Sequence, residues 1–164
     1  MSKRPGRLAW KLAAVLGVVI IGAVGQLLKP YWVAKYRGSG ADLRGALLVC
    51  APLDSGSLDG ATLRNTNLSS AHLRDANLSG AALCGANLYR ADLTRAGLCL
   101  ATLAGTNLQG ARLDSAYLGG ASLLGADLSG ATLVGADLSG ARYDLRTRWP
   151  PGFDPRRHGA ILVK

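Results

Sequence analysis

Residues 61–100 read ATLRN TNLSS AHLRD ANLSG AALCG ANLYR ADLTR AGLCL. Broken into fives, every block carries leucine third and a small residue first. Leu63 follows Ala61, Leu68 follows Thr66, and Leu73 follows Ala71. The pattern extends in both directions. Leucine fills every fifth position from Leu43 to Leu138, twenty in all, and Tyr143 takes the next slot. The small residue two places earlier runs from Ala41 to Ala141.

A period of five suits neither common element. On an α-helix, residues five apart are turned by roughly 140°, so the leucines would scatter around the cylinder. On a flat strand an odd period sends alternate leucines to opposite faces. All twenty stay inside only if the chain turns about a quarter circle every five residues. Four pentapeptides then close a square coil, and stacked coils hydrogen-bond as parallel β bridges about 4.8 Å apart. The leucine and the small residue point inward. The other three positions point outward, with the fifth near the corner.

Units such as Ala91-Asp92-Leu93-Thr94-Arg95, Ala126-Asp127-Leu128-Ser129-Gly130 and Ala136-Asp137-Leu138-Ser139-Gly140 resemble the pentapeptide-repeat family, whose motif is A(D/N)LXX. The resemblance covers residues 41–145. It implies an all-β solenoid, a right-handed quadrilateral β-helix of about five coils, in agreement with the geometric argument. It implies an activity far less firmly. Some members of the family resemble a DNA duplex and bind DNA gyrase, conferring quinolone resistance, so a DNA-mimicking gyrase binder is the alternative function. That mimicry needs a strongly negative rod, because the phosphate density it imitates is high.

The charge distribution bears on this directly. The net charge is +9, but residues 41–145 hold nine Asp and seven Arg, a net of −2. The excess lies in the flanks, with seven Lys/Arg before Ala41 and five against one Asp after Leu145. The coil is therefore neither a basic nucleic-acid surface nor a strong phosphate mimic.

The flanks divide simply. Residues 1–11 are a basic segment containing Lys3, Arg4, Arg7 and Lys11. Residues 12–28 are uncharged, with Trp10 at one edge and Tyr31, Trp32 and Tyr36 beyond the other. Seventeen residues as a helix reach about 25 Å, slightly short of a ~30 Å bilayer core. The aromatic edges and Lys11 and Lys29 suit a single transmembrane helix preceding the coil. The same residues fit a cleaved signal peptide with Ala23-Val24-Gly25 as its small-x-small site, or a buried capping helix, although such a helix should be amphipathic. Basic residues on both sides of the run leave the membrane side of the coil open. Residues 29–40 read as a linker.

Residues 146–164 read as a C-terminal cap. Prolines at Pro150, Pro151 and Pro155 cannot extend a ladder, and Trp149 and Phe153 are bulky enough to cover the last coil. The WPPGFDP string resembles the tail of cyanobacterial pentapeptide-repeat proteins, which implies a thylakoid or plasma-membrane setting.

Reading residues twenty apart as stacked columns sorts the outward side chains. One face carries an amide ladder of Asn67, Asn87, Asn107 and then Asp127. The next carries the charges: Asp54 under Arg74, Asp75 under Arg95, and Asp92 between His72 and Arg112. The remaining two are nearly bare and carry Cys84, Cys99, Leu100, Tyr117 and Leu124, the candidate interaction surface. Cys50, Cys84 and Cys99 never stack on one another, so no disulfide framework is indicated. His72 and His158 lack ligand-spaced neighbours. No nucleophile–base pair or phosphate loop stands out. The chain reads as a non-enzymatic, membrane-anchored module without cofactor. Its expected partners are the membrane and an unidentified protein, rather than a nucleic acid or small molecule.

Overall fold

The computed structural model describes residues 38–164. The expected basic segment, the membrane span or signal peptide, and the linker up to residue 37 lie outside the described residues. Among the described residues no helix is long and apolar enough to cross a membrane.

Parallel bridges link residues twenty apart throughout the coil, as in Asp42↔Thr62, Leu47↔Asn67, Pro52↔His72 and Ser57↔Asn77. Five residues therefore make one side and four sides make one right-handed coil. The five coils are residues 41–60, 61–80, 81–100, 101–120 and 121–140. Faces are numbered one to four in chain order, so the second begins at Ala46 and the fourth at Gly56.

The five positions of each unit account for all of its N–H groups. The first-position N–H closes a turn onto the leucine carbonyl three residues back, as Ala86 does to Leu83 at 2.9 Å. The second donates to the preceding coil, as Asn87 does to Thr66 at 2.9 Å. The third and fifth donate to the next coil, as Leu88 does to Asn107 at 2.7 Å and Arg90 to Gln109 at 3.0 Å. The fourth-position N–H has no ladder partner, and here the motif's Asp or Asn acts. All eight second-position Asx residues accept that N–H on Oδ1, at 2.9–3.3 Å. The motif's acid or amide is thus a local turn device before it is a surface charge.

The corner demands an unusual backbone. Every fifth residue from Gly40 to Gly140 has positive φ, between 53° and 69°. Glycine takes this region without strain, and twelve of these corners use it. The core is a stack of leucines and alanines, most with no exposure at all. Thr66 and Thr106 replace alanine on the second face, and each buried hydroxyl donates to a carbonyl 23 residues back, Leu43 at 2.7 Å and Leu83 at 2.8 Å.

Beyond coil 5 the structure departs from the expectation that prolines end the ladder. One residue is inserted after Tyr143, so Asp127 bridges Arg148 rather than residue 147. Thr147 then takes the alanine place, with its hydroxyl on Leu123 O at 2.9 Å, and Trp149 takes the leucine place. A 3-10 helix, Pro155–His158, follows, N-capped by Asp154 and closed by Gly159 at φ 82°. The chain then rejoins the stack. Strand β1, Arg142–Tyr143, pairs in parallel with β2, Ile161–Leu162. Ala160-Ile161-Leu162 repeats small-x-leucine, so the prolines occupy a detour and the ladder resumes past them. Tyr143 meets Trp149 edge-on with centroids 5.6 Å apart, and Trp149, Phe153 and His158 stack in series at 5.4 and 4.6 Å. Trp149, Phe153 and Leu162 pack against the core end.

Asp144 organises the insertion. One carboxylate oxygen accepts from Gly125 N at 2.9 Å, in place of the backbone carbonyl that the regular ladder would offer, and from the N–H groups of Arg146 and Thr147. The other takes the Arg146 guanidinium at 2.8–2.9 Å. Arg146 foremost, helped by the Gly125 and Arg146 N–H groups and the Thr147 hydroxyl against some burial, brings the Asp144 pKa down to about 2.

Candidate interaction surface

The amide ladder and the charged face are the structurally occupied walls. Asn107 Nδ2 donates to Asn87 Oδ1 at 3.1 Å, and Asn87 Nδ2 to Asn67 Oδ1 at 3.4 Å. Asp127 cannot donate, and its free oxygen takes Gln109 Nε2 and Arg148 instead. On the third face Arg95 forks onto Asp75 with both contacts at 2.6 Å, which holds that carboxyl below the usual range. One expected pairing changes. Asp54 accepts the backbone N–H of Arg74 at 2.9 Å, and its guanidinium reaches Asp92 instead. Asp92 stands between His72 and Arg112 in its column as expected, and its carboxylate lies 3.7 Å from Arg112 and also 3.5 Å from Arg74. Burial opposes ionisation of Asp92, but Thr94's hydroxyl and N–H and the two guanidiniums outweigh it and keep its pKa low. These charges are spent on one another and on the backbone.

The first and fourth faces meet at a corner column of Gly60, Gly80, Leu100, Gly120 and Gly140, all at positive φ. Leu100 is the exception. It holds φ 59° with a side chain 74% exposed. A Cβ built on Gly120 would lie 2.8 Å from Leu100 Cδ2, so glycine in coil 4's place leaves room for the leucine to lie along the rod. Tyr117, 54% exposed, stands on the fourth face between Gly97 and Asp137 in its column. Cys99 is half-buried on the same face, its Sγ directed at Tyr117 O at 3.7 Å. Cys84 is half-buried around the corner on the first face, with Sγ 3.8 Å from Thr102 O. Leu124, half-buried, stands in Cys84's column two coils on, and its carbonyl accepts Gly105 N at 2.9 Å.

The five candidate residues thus lie on two adjoining walls that share the Leu100 corner. No charged residue occurs on the first face of coils 3–5 or on the fourth face of coils 2–4. Among the described residues no three His, Cys, Asp or Glu side chains gather as a metal would need.

The candidate surface left out six exposed apolar residues, Leu47, Val49, Tyr89, Val134, Leu145 and Ile161. Leu47 is 62% and Val49 50% exposed on the second face of coil 1. The signal was present in the sequence, because every later coil carries a polar or charged second position on this face, from Asn67 to Arg148.

A pentapeptide-repeats family model matches residues 39–75, 57–88, 85–118 and 106–142. The chain belongs to the pentapeptide-repeat family. Among solved structures it is similar to alr5209, a pentapeptide-repeat protein from Nostoc PCC 7120, at 31% identity and TM-score 0.52, over 85% of this chain and 95% of that one. It is also similar to Rfr23 from Cyanothece 51142, at 27% identity and TM-score 0.42, over 75% and 99% of the two chains. QnrB1, a plasmid-mediated fluoroquinolone resistance protein, matches at 15% identity and TM-score 0.39, over 79% and 87%. No curated protein matches the sequence. Pentapeptide-repeat proteins are generally non-enzymatic structural or interaction modules, and relatives of this chain are cyanobacterial.

Proposed function

We propose that this pentapeptide-repeat protein is a non-enzymatic, membrane-tethered interaction module. It works by offering the uncharged corner between its first and fourth faces to a protein partner. Leu100 carries the reading. A leucine held in the left-handed region costs roughly 1–2 kcal/mol, and the other corners of its column use glycine. A strained residue that the core does not need points to a role at the surface. The rod is a regular wall about 25 Å tall, suited to presenting side chains in fixed register. The tether is the uncharged run of residues 12–28, with thylakoid or plasma membrane as its setting.

A photo-crosslinking amino acid in place of Leu100, in protein expressed in its native host membranes, tests the reading. The expected result is one discrete adduct, competed by unmodified protein and missing when the crosslinker replaces Ser129 on the second face. Equal labelling from both positions would remove the corner from consideration.

The DNA-mimicking alternative draws on no observation specific to this chain. Nine Asp against seven Arg over residues 41–145 give little field to imitate phosphate. Inhibition of gyrase supercoiling at stoichiometric protein would reverse the ranking.

A further inference from the structure

We infer that coil 1 is a membrane-contacting foot, in which Leu47 and Val49 enter the headgroup region of the bilayer and set the rod upright on its N-terminal end. The inference rests on the tethered reading above and extends it to a surface.

The outward columns of the second face carry the argument. Their second position reads Leu47, Asn67, Asn87, Asn107, Asp127 and Arg148 up the stack, and their fourth reads Val49, Ser69, Tyr89, Gln109 and Ser129. The Asx turn that fixes the fourth-position N–H is used in coils 2 to 5 and abandoned in coil 1. Leucine there also forgoes the amide ladder, which ends at Asn67. Two stabilising devices are given up for two apolar side chains that remain half or more exposed. They flank the inward-facing Leu48, and both point outward from the second face.

The location selects the occupant. Coil 1 is where the chain arrives from the flank, through Gly38-Ser39-Gly40. The uncharged run ends at Leu28, so the ten residues from Lys29 to Gly38 span at most about 35 Å. Coil 1 is thus the coil the tether holds within reach of the surface. The intervening Lys29, Lys35 and Arg37 favour an anionic leaflet. A second copy stacking on this end fits less well. The second-position N–H of each unit bonds the preceding coil, and Pro52 has none to give.

Cys50 adjoins Val49 and is exposed, which provides a native probe site. Full-length protein carrying Cys84→Ser and Cys99→Ser is labelled at Cys50 with nitrobenzoxadiazole and reconstituted in phosphatidylcholine–phosphatidylglycerol vesicles. The expected result is a blue-shifted emission that spin-labelled lipid quenches. A label on Ser129→Cys, four coils higher on the same face in a Cys50→Ser background, should show neither. Leu47→Asn with Val49→Ser, the residues coil 2 uses, should return the Cys50 label to its aqueous spectrum. A water-like, unquenched Cys50 label on protein that resists carbonate extraction overturns the foot and leaves the tether standing. If carbonate strips the protein, the tether reading fails, and quenching recorded before extraction decides the foot by itself. Equal quenching at positions 50 and 129 overturns the upright orientation and the foot together.

Discussion

Replacing Leu100 by glycine separates a docking residue from a structural one. Three terms act on stability. Releasing a leucine from φ 59° recovers roughly 1–2 kcal/mol. Glycine's freedom in the unfolded chain costs about 0.5–1 kcal/mol. The side chain is 74% exposed, so about a quarter of a leucine's burial is lost. At ~1.5–3 kcal/mol for full burial, that is roughly 0.4–0.8 kcal/mol. The terms nearly cancel, and Leu100→Gly should fall within about 1 kcal/mol of the parent. Leu98→Ala, two residues away with no exposure, should cost ~3–5 kcal/mol. Urea midpoints and thermal melts of the full-length protein, followed by circular dichroism, provide the comparison. Both probes are needed because stacked repeats can lose two-state behaviour. The functional half is the partner adduct, which Leu100→Gly should abolish in an otherwise intact rod when the crosslinker is moved to Tyr117. If Leu100→Gly instead destabilises by 2 kcal/mol or more, the leucine is there to pack along Gly120, and the reasoning that makes it a docking residue fails.

Four further substitutions probe the rod itself. Thr106→Val removes the hydroxyl donor to Leu83 O, but that carbonyl keeps the Ala86 N–H at 2.9 Å, so the loss should stay near 1 kcal/mol by urea denaturation. Gly85→Ala meets Asn65 Oδ1 2.5 Å from the new Cβ, whereas Gly105→Ala meets nothing within 4 Å. Both carry the left-handed cost of roughly 1–2 kcal/mol, so the melting temperature should drop further for Gly85→Ala, and equal drops would mean that Asn65 swings aside freely. Asp144 has a folded pKa of about 2, below the ordinary carboxylate value near 3.9. Its ionised contribution is therefore complete above about pH 4 and lost as pH falls toward 2. The melting-temperature gap between the parent and Asp144→Asn should shrink across that window, and a gap constant from pH 6 to pH 2 would contradict the assignment.

How far the sequence disclosed this molecule depends on how each residue's role is encoded. The leucine at every fifth place is a collective signal, and steric closure allows one arrangement that buries all twenty. The columns followed from it, including the Asn67–Asn87–Asn107 ladder and the Arg95–Asp75 fork, because a spacing of twenty fixes who stacks on whom. The guanidinium of Arg74 was misassigned for a physical reason. Column membership fixes backbone neighbours, but a long guanidinium chooses among carboxylates one place off the column, and Asp54 was already engaged with a backbone N–H. The tail does cap the core with Trp149 and Phe153, but the end of the ladder was misplaced, because proline marks where pairing stops and does not say for how long. Thr147-Arg148-Trp149 and Ala160-Ile161-Leu162 both keep the small-x-large pattern, shifted off the count of five by the insertion at Asp144. Leu47 and Val49 are not legible as a bare wall, because their information lies in breaking a polar rule that the other coils keep. In a solenoid each coil repeats the same backbone solution, so its constraints average out and its exceptions stand alone. Leu100 among glycines and Leu47 beneath asparagines are such exceptions. One stands at the corner of the uncharged walls and the other at the end where the chain arrives, the two places where we propose that the rod meets a partner and a membrane.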